Sequence, residues 1–125
     1  MKKILLVEDE PFLTDIYTTK LERTGFEVQL VTEGDKVLGV LKEFKPDLLV
    51  LDIILPNLDG WEVLRKIRKE KGFEELPVII LSNLGQKQEV MKGLNLGATK
   101  YLIKAHYTPS ELVEEIKKIL EENEQ

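Results

Sequence analysis

Five short apolar runs, each followed by an amphipathic segment, constrain this chain more than any other feature. The runs occupy residues 4–7, 28–31, 48–51, 78–81 and 101–103. Several are apolar at successive positions, as in strands covered on both faces. Between them, apolar residues recur three and four apart. The first set is Phe12, Leu13, Ile16, Tyr17 and Leu21; the second is Val37, Leu38, Leu41 and Phe44. Trp61, Leu64 and Ile67 make the third, and Val90, Met91 and Leu94 the fourth. Leu112, Val113, Ile116, Ile119 and Leu120 make the last. Each set predicts a helix with one buried face. Simple alternation of five strands and five helices predicts an α/β fold, a parallel sheet between two helical layers. The crossovers are expected to be right-handed.

Local punctuation marks the boundaries. Gly25 stands where the first helix should stop in a left-handed residue. Pro46 and Pro77 precede the third and fourth runs, where a missing N–H is tolerated. Asp59-Gly60 signals a turn into the third helix, and Thr108-Pro109-Ser110-Glu111 a capping box with proline at the first helical position. Gly85 and Gly93 bracket the fourth helical segment and weaken it. Glu114, Glu115, Lys117, Lys118, Glu121 and Glu122 read as a solvated face of the last helix.

Composition excludes several classes. At 125 residues the chain is expected to form one domain, residues 1–125. A net charge of -5 disfavours direct nucleic-acid binding. With no cysteine there is no disulfide or thiolate chemistry, and the lone His106 reads as a surface loop residue. Met1-Lys2-Lys3 leads into only four apolar residues, short of the roughly 7–15 of a signal peptide. No segment approaches the roughly 20 apolar residues of a membrane span, so a cytoplasmic protein is expected.

The chemistry collects at the strand ends. Glu8, Asp9 and Glu10 follow the first run, Asp52 the third, Ser82 the fourth, and Lys104 the fifth. In a parallel sheet these groups share one edge, where such folds bind ligands. Gathered carboxylates repel one another unless a cation offsets them. An all-oxygen set without His or Cys suits Mg2+ rather than zinc or copper. Lys104 is a natural counter-ion for Asp52 or for a phosphoryl group, and Ser82 a donor to its oxygens.

Val7-Glu8-Asp9-Glu10, Asp52 with Pro56 and Asp59-Gly60, Ser82, and Gly97-Ala98-Thr99-Lys100-Tyr101-Leu102-Ile103-Lys104 together resemble a response-regulator receiver domain. The resemblance runs from residue 3 to about residue 120. It implies a flavodoxin-like (βα)5 three-layer sandwich with strand order 2-1-3-4-5. It further implies that Asp52 accepts a phosphoryl group from the phosphohistidine of a partner kinase. Asp9 would bind Mg2+ directly, Glu8 largely through water, and the Ile54 carbonyl would complete the protein ligands. Ser82 and Lys104 would hold phosphoryl oxygens, and Tyr101 would be the aromatic that changes rotamer. The implied partners are a sensor histidine kinase or phosphotransfer protein and a downstream protein target. The target would bind a face made of the fourth helix, fifth strand and fifth helix. Such a module catalyses only its own phosphorylation and dephosphorylation, as a monomer or a phosphorylation-dependent dimer.

Three positions depart from the family pattern. Ala105 replaces the usual proline after the site lysine, so the Lys104–Ala105 bond is expected either trans with a shifted loop or cis under strain. Glu8 stands where Asp is more usual. Asn83 replaces a small residue and, with apolar Ile54, flanks the path of a hydrolytic water, which should slow dephosphorylation. Rival readings are a Mg2+-dependent aspartyl phosphatase, a flavin binder, and a binding module with a vestigial site. The phosphatase needs a second Asp where Ile54 stands, and a flavin phosphate would be repelled by Glu8, Asp9 and Glu10. The chain reads either as a stand-alone receiver or as a piece of a longer protein.

Overall fold

A computed structural model describes residues 1–123. The strands are β1 (Lys3–Val7), β2 (Glu27–Val31), β3 (Leu48–Leu51), β4 (Val78–Ser82) and β5 (Lys100–Ile103). The helices are α1 (Pro11–Thr24), α2 (Val37–Phe44), α3 (Gly60–Lys69), α4 (Lys87–Asn95) and α5 (Pro109–Asn123). Short 3-10 turns cover Gly34–Lys36 and Lys104–His106. All pairings are parallel, in the order β2-β1-β3-β4-β5. The fold is the expected flavodoxin-like three-layer sandwich.

Two cores flank the sheet because successive strand residues point to opposite faces. Leu5, Val7, Leu49, Leu51, Val78 and Ile80 meet Val37 and Leu41 of α2 and Val63, Leu64 and Ile67 of α3. Ile4, Leu6, Leu48, Val50, Ile79 and Leu81 meet Tyr17 and Leu21 of α1 and Leu112, Ile116 and Ile119 of α5. β1, β3 and β4 are covered on both sides, which is why their sequences are continuously apolar.

The boundary signals operate as read. Gly25 takes φ +108° and closes α1 through Glu22 and Leu21 carbonyls. Asp59 accepts from the Glu62 N–H at 3.0 Å, capping α3. At the start of α5, Glu111 N–H donates to Thr108 Oγ1 at 3.1 Å and Thr108 N–H to Glu111 Oε1 at 2.9 Å. That reciprocal pair holds the Glu111 carboxyl below its ordinary pKa, chiefly through the Thr108 backbone bond.

Four expectations for the helices fail. Phe12, assigned to the buried face of α1, is 76% exposed; buried Thr14 stands on that face instead. Met91 and Leu94 of α4 are 52% and 45% exposed. Gly93 lies inside α4 rather than at its border and is its buried residue. Glu115 is drawn from the solvated face of α5 to the Lys100 ammonium, 2.5 Å away, and that pairing raises the lysine's pKa.

Candidate phosphoacceptor site

The strand order places the site. The chain moves outward from β1 to β2, then crosses back over β1 to form β3, so β1 and β3 are neighbours at the reversal. Val7 is in register with Leu51, which makes Glu8 and Asp52 adjacent exits from the sheet. Asp52 N–H donates to Val7 O at 3.1 Å and Glu8 N–H to Val31 O at 3.1 Å, so both backbones are fixed by the ladder.

Asp52 is buried, and its Oδ1 accepts from the N–H groups of Ile53 at 2.6 Å and Ile54 at 3.3 Å. Glu8 is buried too; its Oε2 accepts from Asp9 N–H at 3.1 Å and Glu10 N–H at 3.2 Å. Lys104 reaches across the end of β4 and joins the two acids. Its ammonium lies 2.6 Å from Asp52 Oδ2 and 2.7 Å from Glu8 Oε1, with the side chains 2–7% exposed. Burial alone would lower the Lys104 pKa, but the hydrogen bonds it donates to Asp52 and Glu8 outweigh it and leave it raised. Burial likewise raises the Glu8 carboxyl above its ordinary value, against the opposing pull of Lys104.

Asp9 is exposed at the mouth of this pair. One carboxylate oxygen each from Glu8, Asp9 and Asp52 lies within 4.8 Å of the others. These hard oxygens, two partly engaged by backbone amides and Lys104, fit a divalent cation that keeps much of its water. Glu10 only begins α1 and stays outside the cluster.

Ser82 is fully buried at the tip of β4, where its Oγ accepts from Leu84 N–H at 3.3 Å. Tyr101 donates its hydroxyl to the Leu84 carbonyl. Burial, reinforced by the Glu89 carboxylate, pushes the Tyr101 phenol up to about 12. Thus Ser82 and Tyr101 meet at the same residue, a link no side-chain motif could announce because the Leu84 partner atoms are main chain.

The remaining named residues form the rim. Ile54 points its side chain outward, 60% exposed, and Asn83, Ala105 and His106 are exposed. Lys104–Ala105 is trans, within a single 3-10 turn. Two glycines, Gly60, read in the sequence only as a turn residue, and Gly34, which was not singled out, pack closely against backbone. A Cβ on Gly60 would stand 2.4 Å from the Asp52 carbonyl oxygen, and one on Gly34 would stand 1.7 Å from the Leu58 carbonyl oxygen.

The chain is similar along most of its length to proteins of known kind. The phosphate regulon transcriptional regulatory protein PhoB of Rhizobium meliloti is 40% identical over 120 residues, 96% of this chain and 52% of that protein. The alkaline phosphatase synthesis transcriptional regulatory protein PhoP of Bacillus subtilis is 37% identical over 123 residues, 98% of this chain and 50% of that protein. The chain thus spans about half the length of these curated relatives. Among solved structures, a CheY-like receiver domain protein from Methanospirillum hungatei superposes with a TM-score of 0.91 at 30% identity, covering 99% of this chain and 97% of that one. The BeF3-activated N-terminal receiver domain of Klebsiella pneumoniae RstA gives 0.86 at 30% identity, covering 95% and 98%. The response regulator receiver domain model matches residues 4–117, and the chain belongs to that family.

Proposed function

We propose that Asp52 accepts a phosphoryl group from the phosphohistidine of a histidine kinase or phosphotransfer protein. The observation that carries this reading is the buried Asp52 carboxylate held between Lys104 and the acidic pair Glu8 and Asp9. In the transfer, an Asp52 oxygen bonds to phosphorus as the P–N bond breaks, and the imidazole nitrogen keeps the electron pair. The transition state spreads negative charge over the phosphoryl oxygens, so positioning and compensating charge carry most of the catalysis. Lys104 supplies that charge by exchanging its contact with Asp52 for one with a phosphoryl oxygen. Ser82 donates its hydroxyl to a second oxygen.

Glu8, Asp9, Asp52 and the Ile54 carbonyl would hold Mg2+. The ion would neutralise charge on the group in flight.

Phosphorylation adds about -1.5 to -2 charge if the acyl phosphate resembles other phosphorylated side chains. Ser82 moves toward it, and Tyr101 occupies the space released, altering the face of α4, β5 and α5. A protein target reads that face. The chain acts as a switch on other proteins and turns over only its own phosphate. The absence, among described residues, of any helix long and apolar enough to cross a membrane accords with a kinase encounter in the cytoplasm.

Intact-mass spectrometry after incubation with acetyl phosphate and Mg2+ tests the reading, with Asp52→Asn as control. One added phosphoryl group, lost in the variant or without metal, is expected. A folded, Mg2+-binding protein that gains no mass from acetyl phosphate or from any kinase would instead be a binding module with a vestigial site.

A further inference from the structure

Helix α4 has little apolar anchorage. Met91 and Leu94 face outward, and Gly93 is its buried residue. The approach is close: a Cβ on Gly93 would stand 2.7 Å from Ile80 Cδ1 and 2.7 Å from Tyr101 Cδ2, so any side chain there would displace one of them. The backbone of α4 therefore rests directly on the Tyr101 ring. The hydroxyl of that ring is bonded to Leu84 O, and Leu84 N–H is bonded to Ser82 Oγ. Helix, ring and site hydroxyl form one continuous set of contacts.

Cations fasten this helix to α3. The Lys92 ammonium of α4 lies 4.6 Å from the centroid of the Trp61 ring, in the first turn of α3. Beyond the end of α4, Arg68 of α3 donates to Gly97 O at 2.7 and 3.3 Å and to Phe73 O at 3.0 Å. Arg68 holds backbone at a turn, whereas Lys92 is the side-chain tie from α4 itself. Trp61 follows Gly60, whose N–H donates to Ile53 O at 2.7 Å, one residue past Asp52. The Lys92–Trp61 pair thus joins the segment after Asp52 to the helix that seats Tyr101.

We propose that Lys92 is a positioning residue for the Tyr101 switch. Stacked on Trp61, it keeps Gly93 seated against the Tyr101 ring and biases the tyrosine toward its Leu84-bonded position. The effect on phosphorylation rests on the phosphoacceptor reading above; the effect on Tyr101 does not. A partly exposed cation–aromatic pair gives a bias of about two- to fivefold, enough to tune a switch without deciding the fold.

The test uses the full chain with Lys92→Gln and Lys92→Arg. Both substitutions sit on an exposed side chain, so the proteins remain folded. NMR of labelled tyrosine reads the Tyr101 ring, and calorimetry reads beryllofluoride binding in the presence of Mg2+. In Lys92→Gln the Tyr101 ring resonances shift and, with the resting position of the ring less favoured, beryllofluoride affinity rises about two- to fivefold, and Lys92→Arg returns both to the wild-type values. Tyr101 resonances in Lys92→Gln that coincide with wild type, or an arginine variant no closer to wild type than the glutamine one, overturn the proposal. Wild-type protein that binds no beryllofluoride overturns the phosphoacceptor reading instead, and the Tyr101 resonances then decide the role of Lys92 alone.

Discussion

The Lys104 ammonium lies 2.6 Å from Asp52 Oδ2, reaching it from a strand two places away in the sheet. It also neutralises Glu8, so a single cation serves two buried carboxylates. Lys104→Met leaves both uncompensated and costs about 3 kcal/mol of stability. The variant should be stabilised by Mg2+ more than wild type, because the ion would replace the lost positive charge. Urea denaturation with and without Mg2+ checks this. Equal Mg2+ effects on the two proteins would mean that the acidic cluster does not hold the ion.

The turn after Asp52 depends on the missing side chain of Gly60. A Cβ there meets main-chain atoms, the Asp52 oxygen at 2.4 Å and Ile53 Cα at 2.6 Å, and neither can rotate away. Gly60→Ala should lose about 2–3 kcal/mol and accept phosphoryl groups more slowly, since the Asp52 backbone must shift. Gly39→Ala is the control, because its Cβ meets nothing within 4 Å and lies in α2. That variant should gain about 0.5–1 kcal/mol. Thermal melts and acetyl-phosphate labelling of both variants separate the two effects.

The strands were legible because β1, β3 and β4 are buried on both faces, and a continuous apolar run has few other uses. The site was legible for a related reason: a parallel sheet carries every strand end to one edge, so Glu8, Asp9, Asp52, Ser82 and Lys104 had to converge. The helices were harder. In α4, apolar Met91 and Leu94 match a buried stripe, yet the helix is seated through Gly93. Phe12 lies at the start of α1, where helical period alone does not define what covers it. Glu115 looked solvated because its partner, Lys100, comes from another element. Leu84 was silent because it acts through its backbone N–H and carbonyl.

Tyr101 gives the fold a distinct alkaline response. Its phenol ordinarily ionises near 10 and is pushed up to about 12 by burial and the Glu89 carboxylate. A raised folded-state value means the stabilisation of the neutral form is complete below pH 10 and is lost as pH rises toward 12. For a ring this exposed, the rise from 10 to about 12 is worth about 1 kcal/mol. Wild type minus Tyr101→Phe should show one phenol titrating near 12 by ultraviolet absorbance, with the stability difference shrinking above pH 10. A difference titration centred at the ordinary tyrosine value would contradict the half-buried, Leu84-bonded ring.

Asn83 stands exposed immediately after Ser82, and the Ile54 side chain is exposed two residues after Asp52. Hydrolysis of an acyl phosphate at Asp52 needs a water in line behind phosphorus, on the open side of the site. On the phosphoacceptor reading, an amide at position 83 would narrow that approach, while Ile54 would offer no hydrogen bond to orient the water. Asn83→Ala should therefore lose phosphate several-fold faster than wild type, and Ile54→Glu should add a polar group that accelerates loss further. Both are read by the decay of the phosphorylated mass after removal of acetyl phosphate. Faster decay in wild type than in Asn83→Ala would remove the blocking role from Asn83. An unchanged Ile54→Glu rate would place the water's path elsewhere on the rim.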